Sequence, residues 1–246
     1  MTQETSGLSI NDRLPDWGPR FIETPDTYPP PTLIAEPWNG ATAALFIVIV
    51  IIWLIRLRGR YRQFPFICCC LPILLVGGIG GTLFHALRTS PVFFLMDVIP
   101  IYFLGVLASL FLWFRLGPKV QHVLGMIGVL VLLQVFGQLA LPTHWAINLS
   151  YASLALLILL PLTLLLVRTR FRHGGWVATS LVCFGIAWFC RIADAEIRPP
   201  LLPMGMHWLW HTFGACCTMA LCQYVYLLER QKRQPEVAPQ LGDVSD

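Results

Sequence analysis

The 246-residue chain is 56% hydrophobic and only 12% charged, and its formal net charge is +4 at pH 7. Soluble domains carry about 25% charged residues, so this composition excludes an ordinary soluble protein. The apolar residues are also grouped into runs of about 20, the length that crosses a bilayer as a helix. We therefore predict an all-α polytopic membrane protein, a seven-transmembrane-helix bundle.

Three parts follow one another along the chain. A polar, proline-rich segment (1–37) precedes the seven-helix transmembrane domain (38–229), and a disordered tail (230–246) ends the sequence. Breaks rich in Arg, Pro or Gly separate the apolar runs of the central part. The seven predicted spans are 40–57, 65–87, 92–114, 119–140, 145–167, 175–195 and 204–228.

The basic residues are concentrated at one end of the predicted spans. Most of the 17 Lys and Arg residues follow the first, third, fifth and seventh spans. The positive-inside rule makes that side cytoplasmic, so we predict the N-terminus outside and the C-terminus inside. All eight Cys residues lie within or beside the spans. A disulfide framework in exposed loops is therefore excluded.

A few ionisable residues interrupt the apolar runs, where each costs about 2.5–3.5 kcal/mol at a helix centre. His85 ends the second span, Asp97 lies early in the third, and His207 and His211 lie early in the seventh. Because successive spans alternate in direction, all four belong to the same depth near the outer membrane face. His207 and His211 are four residues apart and therefore share one helix face.

This arrangement is typical of a metal site. Neutral imidazole is a good zinc ligand, and three protein ligands with one water form the usual catalytic zinc centre. We predict zinc at His85, His207 and His211, where the ion would polarise a substrate carbonyl and activate the water. Asp97 would accept the proton of that water or hold it in place. A single histidine here would more simply hydrogen-bond a neighbouring helix.

Two further features of the spans have structural interpretations. Arg191 and Asp194 end the sixth span, and we predict an ion pair between them, with Asp194 behind a histidine ligand as the alternative. The glycine-rich run Gly77–Gly81 is predicted to permit close helix packing, because it lies inside a span and no Lys follows it.

Two segments resemble the alkaline ceramidases, members of the CREST superfamily that also includes the adiponectin-receptor-like proteins. They are GGIGGTLFHALRTSPVFFLMD and MHWLWHTFG. The resemblance implies a membrane hydrolase that uses zinc to cleave the amide bond of a ceramide-like N-acyl lipid. It also implies His85, His207 and His211 as the zinc ligands, with Asp97 as the catalytic carboxylate.

The sequence departs from that family at two places. The Ser that the family has one turn before its first histidine is Gly81 here, and the neighbouring Thr82 points elsewhere on the helix. A hydrogen-bond donor that would assist the reaction is therefore missing. The calcium site of the family is also altered, and a solvated acidic segment is the alternative to it. The predicted ligands of the calcium site are Asp16, Glu36 and Asn39, with Glu23 or Asp26 as substitutes.

Three functions follow from these residues. The first is a zinc-dependent lipid amidase of the membrane, whose site opens to the outer leaflet and whose partner is a membrane lipid rather than nucleic acid. The second is a non-catalytic seven-helix receptor or scaffold in which zinc is structural. The third is a proton or ion transporter, although a transport path needs polar groups through the full membrane thickness rather than at one face.

Overall fold

The computed structural model describes residues 15–27, 30–117, 120–196 and 202–231, and all regular secondary structure in these ranges is helical. A single 3₁₀ turn, Tyr61–Gln63, lies between the second and third helices. The helices are α1 (Pro37–Ala43), α2 (Leu45–Arg56), α3 (Pro65–Leu87), α4 (Pro91–Leu116), α5 (Val120–Ala140), α6 (Thr143–Arg168), α7 (Gly174–Glu196) and α8 (His207–Gln231).

Six stretches of the described chain are long and apolar enough to cross a membrane. Helices α1 and α2 together form the first, and one stretch lies in each of α3 to α7. The predicted all-α membrane architecture is thereby confirmed. Helix α8 is 25 residues long but carries more polar side chains, Gln223, Glu229 and Arg230 among them, and does not meet the same criterion. The seventh span and the orientation of the termini stay predictions, and most of the predicted tail lies outside the described residues.

Proline, serine and glycine mark where the helices begin and end. Helix α4 starts with Pro91 after Ser90, whose hydroxyl accepts a hydrogen bond from the Val92 amide at 3.2 Å. It ends at Gly117, whose φ of 78° is a left-handed conformation that glycine adopts without strain. Helix α3 ends at Arg88, a non-glycine residue at φ 52°, so its position is fixed by other contacts.

The glycine-rich run brings α3 close to its neighbours, as predicted. A Cβ atom added at Gly80 would clash with the backbone of Met96 in α4. At Gly78 it would lie 2.9 Å from the Ile47 side chain in α2. Helices α3 and α4 therefore pack backbone to backbone, which places the end of α3 beside the first turns of α4.

The core lies around α8. On one side Trp53 of α2, Leu57 directly after that helix and Leu71 of α3 pack with Tyr226. On the other side Leu112 of α4 and Leu165 of α6 are buried with Tyr224. The eight cysteines are free, in agreement with the exclusion of disulfides. Helix α8 packs most extensively on α7 and also contacts α1, α2 and α3, so its first turn is held against the end of α3.

A candidate metal centre

The structure brings together the three histidines that the sequence grouped. His85 is in the last turn of α3, and His207 and His211 are in the first two turns of α8. All three are buried, and one ligand atom from each lies within 4.8 Å of the others. The centroid of the His211 ring lies 4.7 Å from that of His85 and 4.7 Å from that of His207. Three imidazoles at this spacing can share one metal ion.

Hydrogen bonds fix the orientation of two of these rings. The Nδ1 atom of His85 lies 2.6 Å from Oε2 of Glu36, and that of His211 lies 3.1 Å from the carbonyl oxygen of Asn39. A carbonyl oxygen only accepts, so Nδ1 of His211 carries the proton and Nε2 keeps its lone pair. Histidine ligands of metals usually donate their second N–H to a carboxylate or carbonyl in this way.

The third ring has an unpaired nitrogen. Nδ1 of His207 is buried and has no hydrogen-bond partner among the described residues. Phe21 stacks on this imidazole, with ring centroids 3.7 Å apart and planes inclined by 21°. A buried polar atom without a partner is unfavourable unless a ligand satisfies it, so the donor set fits a zinc ion.

Asp97 lies beside this cluster through its contact with Gly81. A Cβ atom added at Gly81 would lie 2.6 Å from Oδ1 of Asp97, so the carboxylate packs against α3 where a larger residue would displace it. No described residue hydrogen-bonds this carboxylate, which lines a cavity together with His207 and His211. The hydroxyl of Thr82 donates to the carbonyl of Gly78 at 2.7 Å and therefore does not replace the missing Ser.

The predicted ion pair between Arg191 and Asp194 is wrong. Asp194 instead accepts hydrogen bonds from the backbone amides of Met206 at 2.6 Å, His207 at 3.1 Å and Ile22 at 3.3 Å. The unpaired amides at the start of α8 attract this carboxylate more effectively than a side chain on its own helix. Asp194 therefore lies behind His207, as the alternative prediction stated. It contacts the backbone amide of His207 rather than the imidazole ring.

Arg88 joins the N-terminal segment to the histidines, and sequence reasoning missed it. Its Nε donates to Asp16 at 2.6 Å, its Nη1 donates to Glu36 at 2.8 Å, and both Nη atoms donate to the carbonyl of Pro19 at 3.1 Å. The side chains of Arg88, Asp16 and Glu36 are 1%, 0% and 0% exposed. The available signal was an Arg three residues after His85, in a loop that the topology places outside.

Two of the predicted calcium ligands, Asp16 and Glu36, are already engaged by protein groups. Both oxygens of Asp16 contact Arg88, and Oδ1 also accepts from the Gly18 amide at 3.0 Å. Both oxygens of Glu36 are engaged as well, one by Arg88 and Thr24, the other by His85 and the Asn39 amide group. The guanidinium supplies the positive charge that an ion would bring.

The substitute ligands are also engaged. Glu23 accepts from the backbone amides of Trp38 at 2.7 Å and Asn39 at 2.9 Å, so it caps the start of α1. Asp26 forms an exposed ion pair with Arg20 at 2.9 Å. Because these carboxylates face different parts of the segment, they do not form one acidic site.

The charge of Glu36 follows from its surroundings. Burial alone would raise the pKa of this carboxyl group, but the adjacent His85 and Arg88 lower it to about 2. Glu36 is therefore ionised, and it links the Arg88 guanidinium to the His85 ring. The backbone reinforces this link, because the Glu36 amide donates to the His85 carbonyl at 3.1 Å.

Two of the three histidines, His207 and His211, line a large apolar cavity of about 760 Å³. Its polar lining includes Asp97, Arg191, His207 and His211, and its apolar lining continues along α8 to Val225. The 14 residues from His211 to Val225 correspond to about 21 Å at 1.5 Å per residue. A cavity with one polar end and a long apolar body suits a ligand that has a polar group on an extended hydrocarbon chain.

No family model matches the sequence, and no protein of curated function matches it either. The resemblance to the alkaline ceramidases therefore depends on the two short sequence motifs.

Proposed function

We propose that this protein is a zinc-dependent membrane hydrolase that cleaves the amide bond of a ceramide-like N-acyl lipid. The observation that carries the proposal is the cluster of His85, His207 and His211, whose ligand atoms lie within 4.8 Å of one another at the polar end of the apolar cavity. A zinc ion bound there would supply Lewis-acid activation of a water molecule and of the substrate carbonyl. The motif resemblance to the alkaline ceramidases supports the same reaction.

The residues of the chain have separate tasks in this reaction. The histidines hold the metal, and Glu36 and the Asn39 carbonyl orient two of their rings. Asp97 accepts a proton as the water oxygen bonds to the acyl carbon, and the proton passes to the nitrogen as the C–N bond breaks. The products are a fatty acid and an amine. The apolar cavity binds the acyl chain and keeps bulk water from it.

Three protein ligands favour catalysis over a purely structural metal site. Structural zinc sites are almost always closed by four protein ligands, whereas catalytic sites keep one position open. Among the described residues the cluster contains three histidines only, with a carboxylate beside them. A receptor, scaffold or transporter function does not explain why Asp97 and the apolar cavity occur together at the histidines.

The proposal includes a seventh span and an extracytoplasmic site. With α8 crossing the membrane, the concentration of Arg and Lys after alternate spans places the C-terminus in the cytoplasm and the histidines near the outer face. Lipids of the outer leaflet would then enter the cavity from the side. Helix α8 tolerates its polar residues in this position because α7, α1, α2 and α3 pack against it.

The test is hydrolysis of a fluorescent N-acylsphingosine by the zinc-loaded, detergent-purified protein. Asp97→Asn should retain zinc and fold but lose about 10²–10⁴ of the rate, the usual contribution of a general base. The control is Asp26→Asn, which alters an exposed aspartate of the N-terminal segment and should keep the wild-type rate. An Asp97→Asn rate equal to that of the control would contradict the assigned role of Asp97.

A further inference from the structure

Arg191 of α7 lies at the polar end of the cavity, and nothing above gives it a task. Its guanidinium is 4.8 Å from the centroid of the Tyr151 ring and 5.4 Å from that of Trp210. These two rings meet edge to face, with centroids 5.0 Å apart. The aromatic cradle fixes the direction of the guanidinium, because a cation prefers the faces of such rings.

Among the described residues this guanidinium forms no ion pair, although its charge acts on the Asp97 carboxylate of the same cavity. The ion pairs of the described residues involve Arg20, His85 and Arg88, and Asp194 is turned toward backbone amides instead. Nε of Arg191 is buried without a hydrogen-bond partner among the described residues. Arg88, by contrast, uses all of its side-chain nitrogens in hydrogen bonds.

An arginine in this position needs an explanation. It costs about 2.5–3.5 kcal/mol to place one at the centre of a membrane helix, and such residues usually pair with another group or mark a ligand path. Arg191 lines the same cavity as His207, His211 and Asp97, so a ligand that reaches the metal site also reaches the guanidinium. Two parallel N–H groups of Arg match the oxygens of a carboxylate or phosphate.

We propose that Arg191 binds an anionic group, a carboxylate or a phosphate, on the amine side of the lipid substrate. This inference rests on the proposed function and narrows it, from N-acyl lipids in general to those with a negatively charged amine portion. The acyl chain occupies the apolar body of the cavity, the amide lies at the histidines, and the anion pairs with Arg191. A neutral N-acyl lipid leaves the guanidinium without a partner.

Three probes with the same acyl chain test this inference: N-oleoylglycine, N-oleoylethanolamine phosphate and the neutral N-oleoylethanolamine. Their dissociation constants are measured in nonionic detergent on zinc-loaded Asp97→Asn protein, in which turnover is slow. With Arg191 present, at least one anionic probe should bind about tenfold to a hundredfold more tightly than the neutral probe. The stronger of the two identifies the group as carboxylate or phosphate.

The same constants are then measured with Arg191→Gln added. This change should remove the preference while the affinity for the neutral probe, which also reports intact folding, stays the same. Arg191→Lys should keep part of the preference. Arg58→Gln changes an exposed arginine just after α2 and is the matched control. It should keep the full preference for the anionic probes.

Several results would overturn the inference. The first is equal affinity for charged and neutral probes with Arg191 present. The second is an unchanged preference for anionic probes in Arg191→Gln, and the third is an equal loss of affinity for all three probes in that variant. The proposed function has a separate readout, the release of oleic acid from the same probes by the wild-type protein. A preference for anionic probes without release of oleic acid would contradict the hydrolase and support the anion site. Release of oleic acid without that preference would support the hydrolase and contradict the anion site.

Discussion

At the scale of single residues, Gly81 makes room for the Asp97 carboxylate against α3, one turn before His85. The absence of a side chain lets Oδ1 of Asp97 occupy space that a Cβ atom at residue 81 would enter, at 2.6 Å. The alkaline ceramidase motif that this segment resembles has a Ser there. Compared with that motif, residue 81 lacks the Ser hydroxyl, and the Asp97 carboxylate occupies the space beside it.

Replacing Gly81 with Ala should therefore reduce activity without removing the metal. The added methyl group pushes the Asp97 carboxylate from its position, and a misplacement of about 1 Å in a catalytic group can cost about 10²-fold in rate. Hydrolysis rate and zinc content are measured together. Gly125→Ala is the control, since a Cβ atom there meets nothing within 4 Å. If both variants keep the wild-type rate, the close packing of Asp97 has no catalytic importance.

Sequence patterns were sufficient to predict that the three histidines come together but not which residues hydrogen-bond to them. Histidines in an apolar run stand out because of their cost, and their shared depth follows from the alternation of spans. The hydrogen bonds of Asp194 to Met206, His207 and Ile22 depend on where a loop returns, which no local pattern encodes. The engagement of Glu36 by His85 and Arg88 was missed for the same reason.

At the scale of elements, the N-terminal segment forms a cover that Arg88 fixes over the histidines. Phe21 stacks on His207, and the Ala35 amide donates to the carbonyl of Ala86 at 2.7 Å. Gly18 packs directly against the Phe84 ring, which leaves no room for a Cβ atom at this position. A polar, proline-rich segment without helix thus acquires a fixed position from one buried guanidinium.

Replacing Arg88 with Met should destabilise the protein strongly. The change leaves the carboxylates of Asp16 and Glu36 buried without their cation, and breaking such a pair costs about 3–5 kcal/mol. Thermal unfolding in detergent measures the loss, and zinc content should fall with it because Glu36 orients His85. Arg60→Met, at an exposed position, is the control and should change stability by about 0.5 kcal/mol or less. Equal unfolding temperatures for the two variants would show that the Arg88 network is not structural.

At the scale of the whole molecule, the sequence predicts the helices better than their arrangement. Hydrophobic length gave the bounds of α3 and came within a few residues for α4 and α6. Hydropathy does not single out α8 as a span, because its apolar content is lower and protein surrounds it on several sides. Hydropathy reports the average environment of a helix, so a helix enclosed by others gives a weak signal.

Reporter fusions decide the membrane topology. Alkaline phosphatase, which is active only outside the cytoplasm, should be active when fused after residue 142 and inactive when fused after residue 173. Fused after residue 246 it should again be inactive, because α8 returns the chain to the cytoplasm. Activity at that last position would show six spans, with α8 entering the bundle without crossing the membrane.

The most direct test of the account is the metal content of the detergent-purified protein, measured by mass spectrometry. We predict about one zinc ion per chain in the wild type, and its loss in both His85→Ala and His211→Ala. His173→Ala, which changes a histidine that contacts Gln231 away from the cluster, should keep the metal. A folded wild-type protein that binds no zinc even when zinc is supplied, or that keeps it in both cluster variants, would contradict the proposed metal centre.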